Sequence, residues 1–235
     1  PSPSDYWQAT KALGHGDFQI LVFAPSTVQE MVDLVSDAFD KADEYRMPAM
    51  ILADGMLGQM MEPVELPEHK DRKLPEKPWA ACGHENKREH NIINSLYLTP
   101  NALEDLVRAR YERYKIVEEK EQRAEEYRTE DADVIVVAYG ASSRVARSAV
   151  NKAREASKKV GLIRPITLWP FPKDAIKRAA DHAKELLVVE MSMGQMVDDV
   201  RLAAECRVPV HFYGRTGGVI PTPKEILGEI DKLLK

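Results

Sequence analysis

The chain has 235 residues, 44% apolar and 30% charged, with a formal net charge of −5. That composition supports a packed core, and the acidic balance excludes the basic stripe a nucleic-acid interface needs. No apolar run is long enough to span a membrane, residues 1–5 lack the layout of a secretory leader, and Cys82 and Cys206 cannot make a disulfide framework, so a soluble cytoplasmic protein is expected.

The chain opens on Pro1 without a methionine. Phe18-Gln-Ile-Leu-Val-Phe23 predicts a strand, Ser26 is placed to cap a helix over 27–45, and Ala49-Met-Ile-Leu-Ala53 predicts a second strand ending at Asp54-Gly55. Two strands and one helix cannot bury both faces of a sheet, so this half is expected to need further strands, upstream of Pro1 or from another chain. Residues 62–100 are rich in proline and aperiodic, an irregular crossing segment. Residues 101–128 are helical in pattern and highly charged, with a thin apolar stripe of Leu103, Leu106, Tyr114 and Val117. No heptad is sustained, so a linker helix on the surface is a simpler reading than a coiled coil.

The last third alternates strictly. Asp133-Val-Ile-Val-Val-Ala-Tyr139 is a buried strand, and Ser142 or Ser143 caps a helix running to about Ser157 with Val145, Ala149 and Ala153 on one face. A strand over 161–166, a proline-rich turn over 169–172, a helix over 173–184, a strand over 186–189, a helix over 194–205, a strand over 208–213 and a final helix over 223–234 follow. Alternation of this kind implies a parallel sheet. The expected organisation is therefore residues 1–100, a linker helix over 101–130, and an α/β domain over 131–235.

Several strings invite chemistry. No P-loop is present, and Gly14-His15-Gly16 precedes a strand, so it fails as a dinucleotide fingerprint. Tyr213-Gly-Arg-Thr-Gly-Gly218 follows a strand but leads into no helix, and reads as a structural loop. Gly140-Ala-Ser-Ser143 sits where free N–H groups can hold an anion, although an ordinary cap is simpler. Cys82, His84, His90 and His69 lack the paired spacing of a structural zinc site, so no metal site is assigned; Cys206 reads as a small core residue. His15 and Asp17 form an ionisable pair in a glycine frame, able to exchange protons, or simply a turn opening the strand. Asp54 ends a buried strand, where ligands of open α/β sheets gather, and Met56-Leu-Gly-Gln-Met-Met61 adds a soft wall beside it or ordinary packing.

Gly14-His-Gly-Asp17, Leu21-Val-Phe-Ala-Pro-Ser26 and Pro48-Ala-Met-Ile-Leu-Ala-Asp54 together closely resemble the α subunits of 2-oxoacid:ferredoxin oxidoreductases. Asp131-Ala-Asp-Val-Ile-Val-Val-Ala-Tyr-Gly140 and Tyr213-Gly-Arg-Thr-Gly-Gly-Val-Ile-Pro-Thr-Pro223 look like the core domain that follows in the same subunits. The resemblance covers nearly the whole chain in order, with the branched-chain (2-oxoisovalerate) and 2-oxoglutarate types nearest. It implies an α/β fold class: part of a thiamine-diphosphate-binding domain of the pyrimidine type, then a parallel domain like the transketolase C-terminal domain.

Enzymes of this family decarboxylate a 2-oxoacid on thiamine diphosphate, pass the acyl group to coenzyme A and send electrons through iron–sulfur clusters to ferredoxin. The resemblance implies that a β subunit carries the diphosphate and magnesium site, that γ and ferredoxin-like subunits complete the complex, and that iron–sulfur clusters sit outside this chain. Family α subunits begin earlier, and that stretch carries the glutamate activating the cofactor, so this chain alone is not expected to turn over. Self-association into a homodimer is the alternative for the isolated chain. His15 and Asp17 are nominated as catalytic candidates on the substrate side and Asp54 as a cofactor-side candidate. Two rivals stand beside this reading: the β chain of a lipoamide-linked 2-oxoacid dehydrogenase, and a non-catalytic assembly or anion-binding module using Gly140 to Ser143.

Overall fold

The computed structural model describes residues 6–12, 15–66 and 76–235. After a π-helical turn at Gln8–Ala12, strand β1 (Leu21–Phe23), helix α1 (Val28–Tyr45) and strand β2 (Ala49–Ile51) form a βαβ unit with β1 and β2 parallel. Thr27, not Ser26, caps α1: its hydroxyl accepts from the Glu30 N–H at 3.1 Å. Ser26 stands one residue outside and gives its own N–H and hydroxyl to the Glu30 carboxylate, at 2.7 and 3.0 Å.

A third strand of this first sheet comes from within the chain itself. Strand β6 (Thr167–Trp169) lies antiparallel to β1, giving the order β2-β1-β6. The expectation that help must come from upstream or from another chain is corrected to that extent. On its other side β2 has no strand partner among the described residues, and Val35 and Phe39 of α1 stay exposed beside it.

Helix α2 (Pro100–Lys120) buries only Tyr114 and Val117, and stops eight residues short of its expected end at 128. Strand β3 (Ala124–Tyr127) follows and pairs antiparallel with β5 (Val160–Pro165), with Glu125 opposite Arg164. The reason is electrostatic. Arg164 is only 5% exposed, and a buried cation requires an acid at the neighbouring cross-strand position, so tertiary pairing overrides the helical propensity of this acidic run.

The second sheet runs β3-β5-β4-β7-β8, where β4 is Val134–Val137, β7 is Glu185–Glu190 and β8 is Val210–Gly214. All pairs except β3·β5 are parallel. Helices α3 (Gly140–Glu155), α4 (Lys173–Ala180), α5 (Met196–Ala204) and α6 (Pro223–Leu233) cover it. Alternation along the strands divides the core. Val136, Leu162, Leu187 and Val189 pack under Ala149, Ala153, Ile226 and Ile230 from α3 and α6. Ile135, Val137, Ile163 and Val188 face Ile176, Val200 and Ala203 from α4 and α5, in a core that runs on into Phe23 of β1 and Leu34 of α1. At Gly161 there is no room for a side chain: a Cβ would stand 2.6 Å from the Arg128 carbonyl oxygen. Among the described residues no helix is long and apolar enough to cross a membrane.

Candidate functional site at the seam between the sheets

The order of the second sheet reverses at β4: β5 lies on one side, β7 and β8 on the other. The carboxyl ends of β4 and β7 therefore flank the crevice where open α/β sheets hold ligands. Asp54 reaches this place from the end of β2. Its Oδ2 accepts the Ala141 N–H at 3.0 Å, and its Oδ1 accepts the Leu57 N–H at 2.9 Å. Gly140, at φ 57°, makes the approach feasible, since a Cβ there would lie 3.2 Å from Asp54 Oδ2. Asp54 thus caps α3 from the other sheet. Ser142 and Ser143 are not the cap; they sit inside the first turn and return their hydroxyls to the carbonyls of Tyr139 and Gly140, at 2.7 and 2.6 Å. A neighbouring cleft of about 200 Å³ is lined by Asp54, Met56, Gln59, Met191, Gly218 and Ile220.

The second helix at the crevice is filled in the same way. Glu190 at the end of β7 is 1% exposed and accepts from the backbone N–H groups of Gln195, Met196 and Val197, at 3.0–3.2 Å, and from the Ser192 hydroxyl at 3.1 Å. The first described residues dock beside it. Trp7 donates its backbone N–H to Gln195 Oε1 at 2.9 Å and its indole N–H to the Gln195 carbonyl at 3.2 Å. Tyr6, fully buried, donates its hydroxyl to Asp199, which also receives Lys11 at 2.6 Å. Burial first, and then the Asp199 charge, push the Tyr6 phenol well above its ordinary value, so it stays a donor.

Ion pairs close the rest of the seam. Arg164 of β5 grips both oxygens of Glu30, at 2.7 and 3.0 Å, and Glu125 at 2.8 Å. Arg144 of α3 meets Glu62 at 2.8 Å. Glu121, buried after α2, accepts from Lys41 and Tyr45, each at 2.7 Å, and from Arg123 at 3.1 Å; Arg123 also binds Asp37. Burial pushes the Glu121 and Glu125 carboxyls up, but their cationic partners outweigh it and hold both below the usual carboxylate range.

His15 and Asp17 lie elsewhere. Both are exposed, in a turn with Gly16 at φ 71° and Asp17 at φ 58°, and the Gly16 carbonyl accepts Arg110 of α2 at 2.9 Å. The structure does not bring them to Asp54. Of the residues weighed for zinc, the His84 and His90 rings meet at a 51° tilt with centroids 3.9 Å apart and Cys82 faces the carbonyls of Ala80 and Gly83, while His69 lies outside the described residues. Cys206 is exposed at the left-handed end of α5 rather than in the core. Glu190, Tyr6 and Arg164 were missed by the sequence reading; only the position of Glu190 at a strand end before a glycine-containing loop hinted at its role.

Residues 2–139 match the thiamine-diphosphate-binding domain of pyruvate flavodoxin/ferredoxin oxidoreductases, and residues 132–226 match core domain II of pyruvate:ferredoxin oxidoreductase. The chain belongs to this family. It is 46% identical over 233 residues to the ketoisovalerate oxidoreductase subunit VorB of Methanothermobacter marburgensis, an alignment covering 99% of this chain and 66% of that subunit. It is 33% identical over 259 residues to the 2-oxoglutarate synthase subunit KorA of the same organism, covering 97% and 68%. The chain thus spans about two thirds of the length of the curated relatives it matches. Among solved structures it resembles the 2-oxoglutarate:ferredoxin oxidoreductase of Magnetococcus marinus, determined with 2-oxoglutarate, coenzyme A and succinyl-CoA bound. The TM-score is 0.80 at 22% identity over 99% of this chain and 45% of that one. A split-gene transketolase, an inactive beta4 tetramer, follows at 0.51, 15% identity, 92% and 57%. These two likenesses show the fold: a thiamine-diphosphate-binding domain followed by a transketolase C-terminal-like domain.

Proposed function

We propose that this chain is the α-subunit part of a 2-oxoacid:ferredoxin oxidoreductase, which oxidatively decarboxylates a 2-oxoacid to an acyl-CoA and passes the electrons to ferredoxin. The observation that carries this reading is the ordered match of both family domains across residues 2–226. The higher identity to the ketoisovalerate subunit than to the 2-oxoglutarate one, 46% against 33%, favours a branched-chain 2-oxoacid.

With two cysteines, the chain cannot supply four thiolates to an iron–sulfur cluster. Among the described residues no cluster of three or more His, Cys, Asp or Glu side chains is arranged to hold a metal ion. On the family resemblance we assign magnesium, the cofactor's diphosphate and the iron–sulfur clusters to β, γ and ferredoxin-like subunits, and the assembly to the cytoplasm. On the chain itself, the exposed His15 and Asp17 keep the substrate-side nomination. Asp54, with both oxygens engaged by backbone N–H groups, is assigned to the seam as a positioning residue. The anion-module rival loses its support, because Asp54 already fills the α3 N-terminus at Gly140 to Ser143.

The test is capture of the native complex through a tagged gene product, with identification of the co-purifying chains and assay of 2-oxoacid- and coenzyme A-dependent viologen reduction. Reduction with cluster-bearing partners present is expected. An intact complex that reduces nothing with any 2-oxoacid but feeds lipoamide overturns the reading. His15→Ala in that complex is expected to lower kcat/KM for the 2-oxoacid, and an unchanged value removes the nomination.

A further inference from the structure

Arginines in this protein are almost everywhere answered by acids. Arg123, Arg144, Arg147, Arg154, Arg164, Arg178, Arg207 and Arg215 all pair with carboxylates. With 38 acidic residues against 33 basic ones, acids are not scarce. Five described arginines lack a carboxylate. Arg88 donates to backbone carbonyls and Arg128 lies over the Tyr127 ring, while the other three neighbour one another, Arg46 at the left-handed end of α1 and Arg110 and Arg113 one turn apart on α2. Arg113 makes no hydrogen bond among the described residues, and the Nε atoms of Arg110 and Arg113 are buried without a partner.

Two of the three are already held in position. The Arg46 guanidinium lies over the Trp79 ring at 4.7 Å, and Arg110 Nη2 donates to the Gly16 carbonyl at 2.9 Å. Little side-chain freedom is left to lose when a ligand arrives. Burial, and then the nearby charges of Arg46 and Arg110, hold the Arg113 guanidinium below its ordinary value, as expected of a cation cluster lacking its counter-charge.

We propose that Arg46, Arg110 and Arg113 form an oxoanion site that takes the phosphate group of a phosphorylated ligand, beside the turn bearing His15 and Asp17. A phosphate carries up to two negative charges and three acceptor oxygens, which answers three guanidinium forks better than a single carboxylate does. The site does not depend on the activity proposed above. Its phosphate has two sources, free inorganic phosphate or the phosphate groups of a nucleotide-like cofactor such as coenzyme A.

The experiment is a titration of the purified chain at constant ionic strength, read on the arginine Nε–H signals of its nitrogen-15 spectrum. The probes are inorganic phosphate, pyrophosphate, coenzyme A and 3′-dephosphocoenzyme A. Saturable shifts of the Arg110 and Arg113 signals at millimolar probe are expected. Arg113→Gln is expected to weaken binding about tenfold or more. Arg113→Lys recovers part of it, since the charge returns without the fork, and Arg108→Gln on the same helix changes nothing. Arg113 has no partner to lose, so these variants are expected to fold. A stronger response to coenzyme A than to its dephospho form assigns the site to that terminal phosphate; an equal response to inorganic phosphate assigns it to a free oxoanion. No saturable shift with any of the four probes overturns the proposal, as does unchanged affinity in Arg113→Gln.

Discussion

Asp54→Ala tests the seam most directly. In the native chain one carboxylate satisfies two backbone donors, Ala141 N–H at 3.0 Å and Leu57 N–H at 2.9 Å. Ala141 is 1% exposed, so only water entering from the neighbouring cleft can replace the lost acceptor. A missing N-cap costs about 0.5–2 kcal/mol, and a carboxylate at a partly buried helix N-terminus contributes up to about 2 kcal/mol more. A buried N–H left unmade costs about 1–3 kcal/mol. These terms describe overlapping losses, so the expected total is about 2–3 kcal/mol. In a chain of this size each kcal/mol moves the midpoint by roughly 2–4 °C, which puts the fall in Tm at about 4–12 °C. Asp54→Asn keeps one oxygen acceptor but turns an NH₂ toward the other donor, so about half that fall is expected. Thermal unfolding followed by tryptophan fluorescence gives the midpoint, and hydrogen exchange reports the Ala141 amide. An unchanged Tm with Ala141 still protected would refute the cap. Unchanged stability with lost activity of the complex would return Asp54 to the cofactor.

Arg164→Ala takes the cation from part-exposed Glu30 and leaves Glu125 with Arg147 alone, and is expected to destabilise by about 1–3 kcal/mol in urea unfolding, whereas Arg164→Met with both glutamates changed to glutamine is expected to be milder. Because Glu121 and Glu125 are held below the ordinary carboxylate value in the fold, their contribution is full above the unfolded value of about 4.3 and is lost as pH falls through the folded ones. Urea midpoints are therefore expected to drop below about pH 4, and Arg164→Met is expected to flatten that drop. Tyr6→Phe leaves buried Asp199 with Lys11 alone and is expected to cost about 1–3 kcal/mol, measured by the same unfolding.

The second sheet was legible from sequence because its strands are continuous β-branched runs separated by periodic helices, and local pattern decides such elements. Strands β3 and β6 were not. Ala124-Glu-Glu-Tyr127 carries a helix-forming composition and becomes a strand because Arg164 lies across from Glu125. Thr167–Trp169 directly follows β5 in the chain but joins the other sheet, a choice set by packing against β1 that no local signal encodes. The position of Asp54 at a strand end was legible; its partner, 87 residues away at Ala141, was not. Ser142 looked like a cap because serine usually is one, and it lost that role to a stronger acceptor brought by the fold.

Both helix N-termini at the reversal of the second sheet are answered by acids of the chain itself, α3 by Asp54 and α5 by Glu190. A ligand anion would have to displace a carboxylate already bound to two or more N–H groups at either position. At α3 the crevice is used as a joint, where Asp54 ties the first sheet to the second. Unanswered donors collect instead along α2, at Arg110 and Arg113, next to the glycine turn of His15 and Asp17. Binding chemistry on this chain is therefore expected at the α2 side of the first sheet. Substitutions at Glu190 should lower stability, while substitutions at Arg113 should alter ligand affinity and leave stability alone.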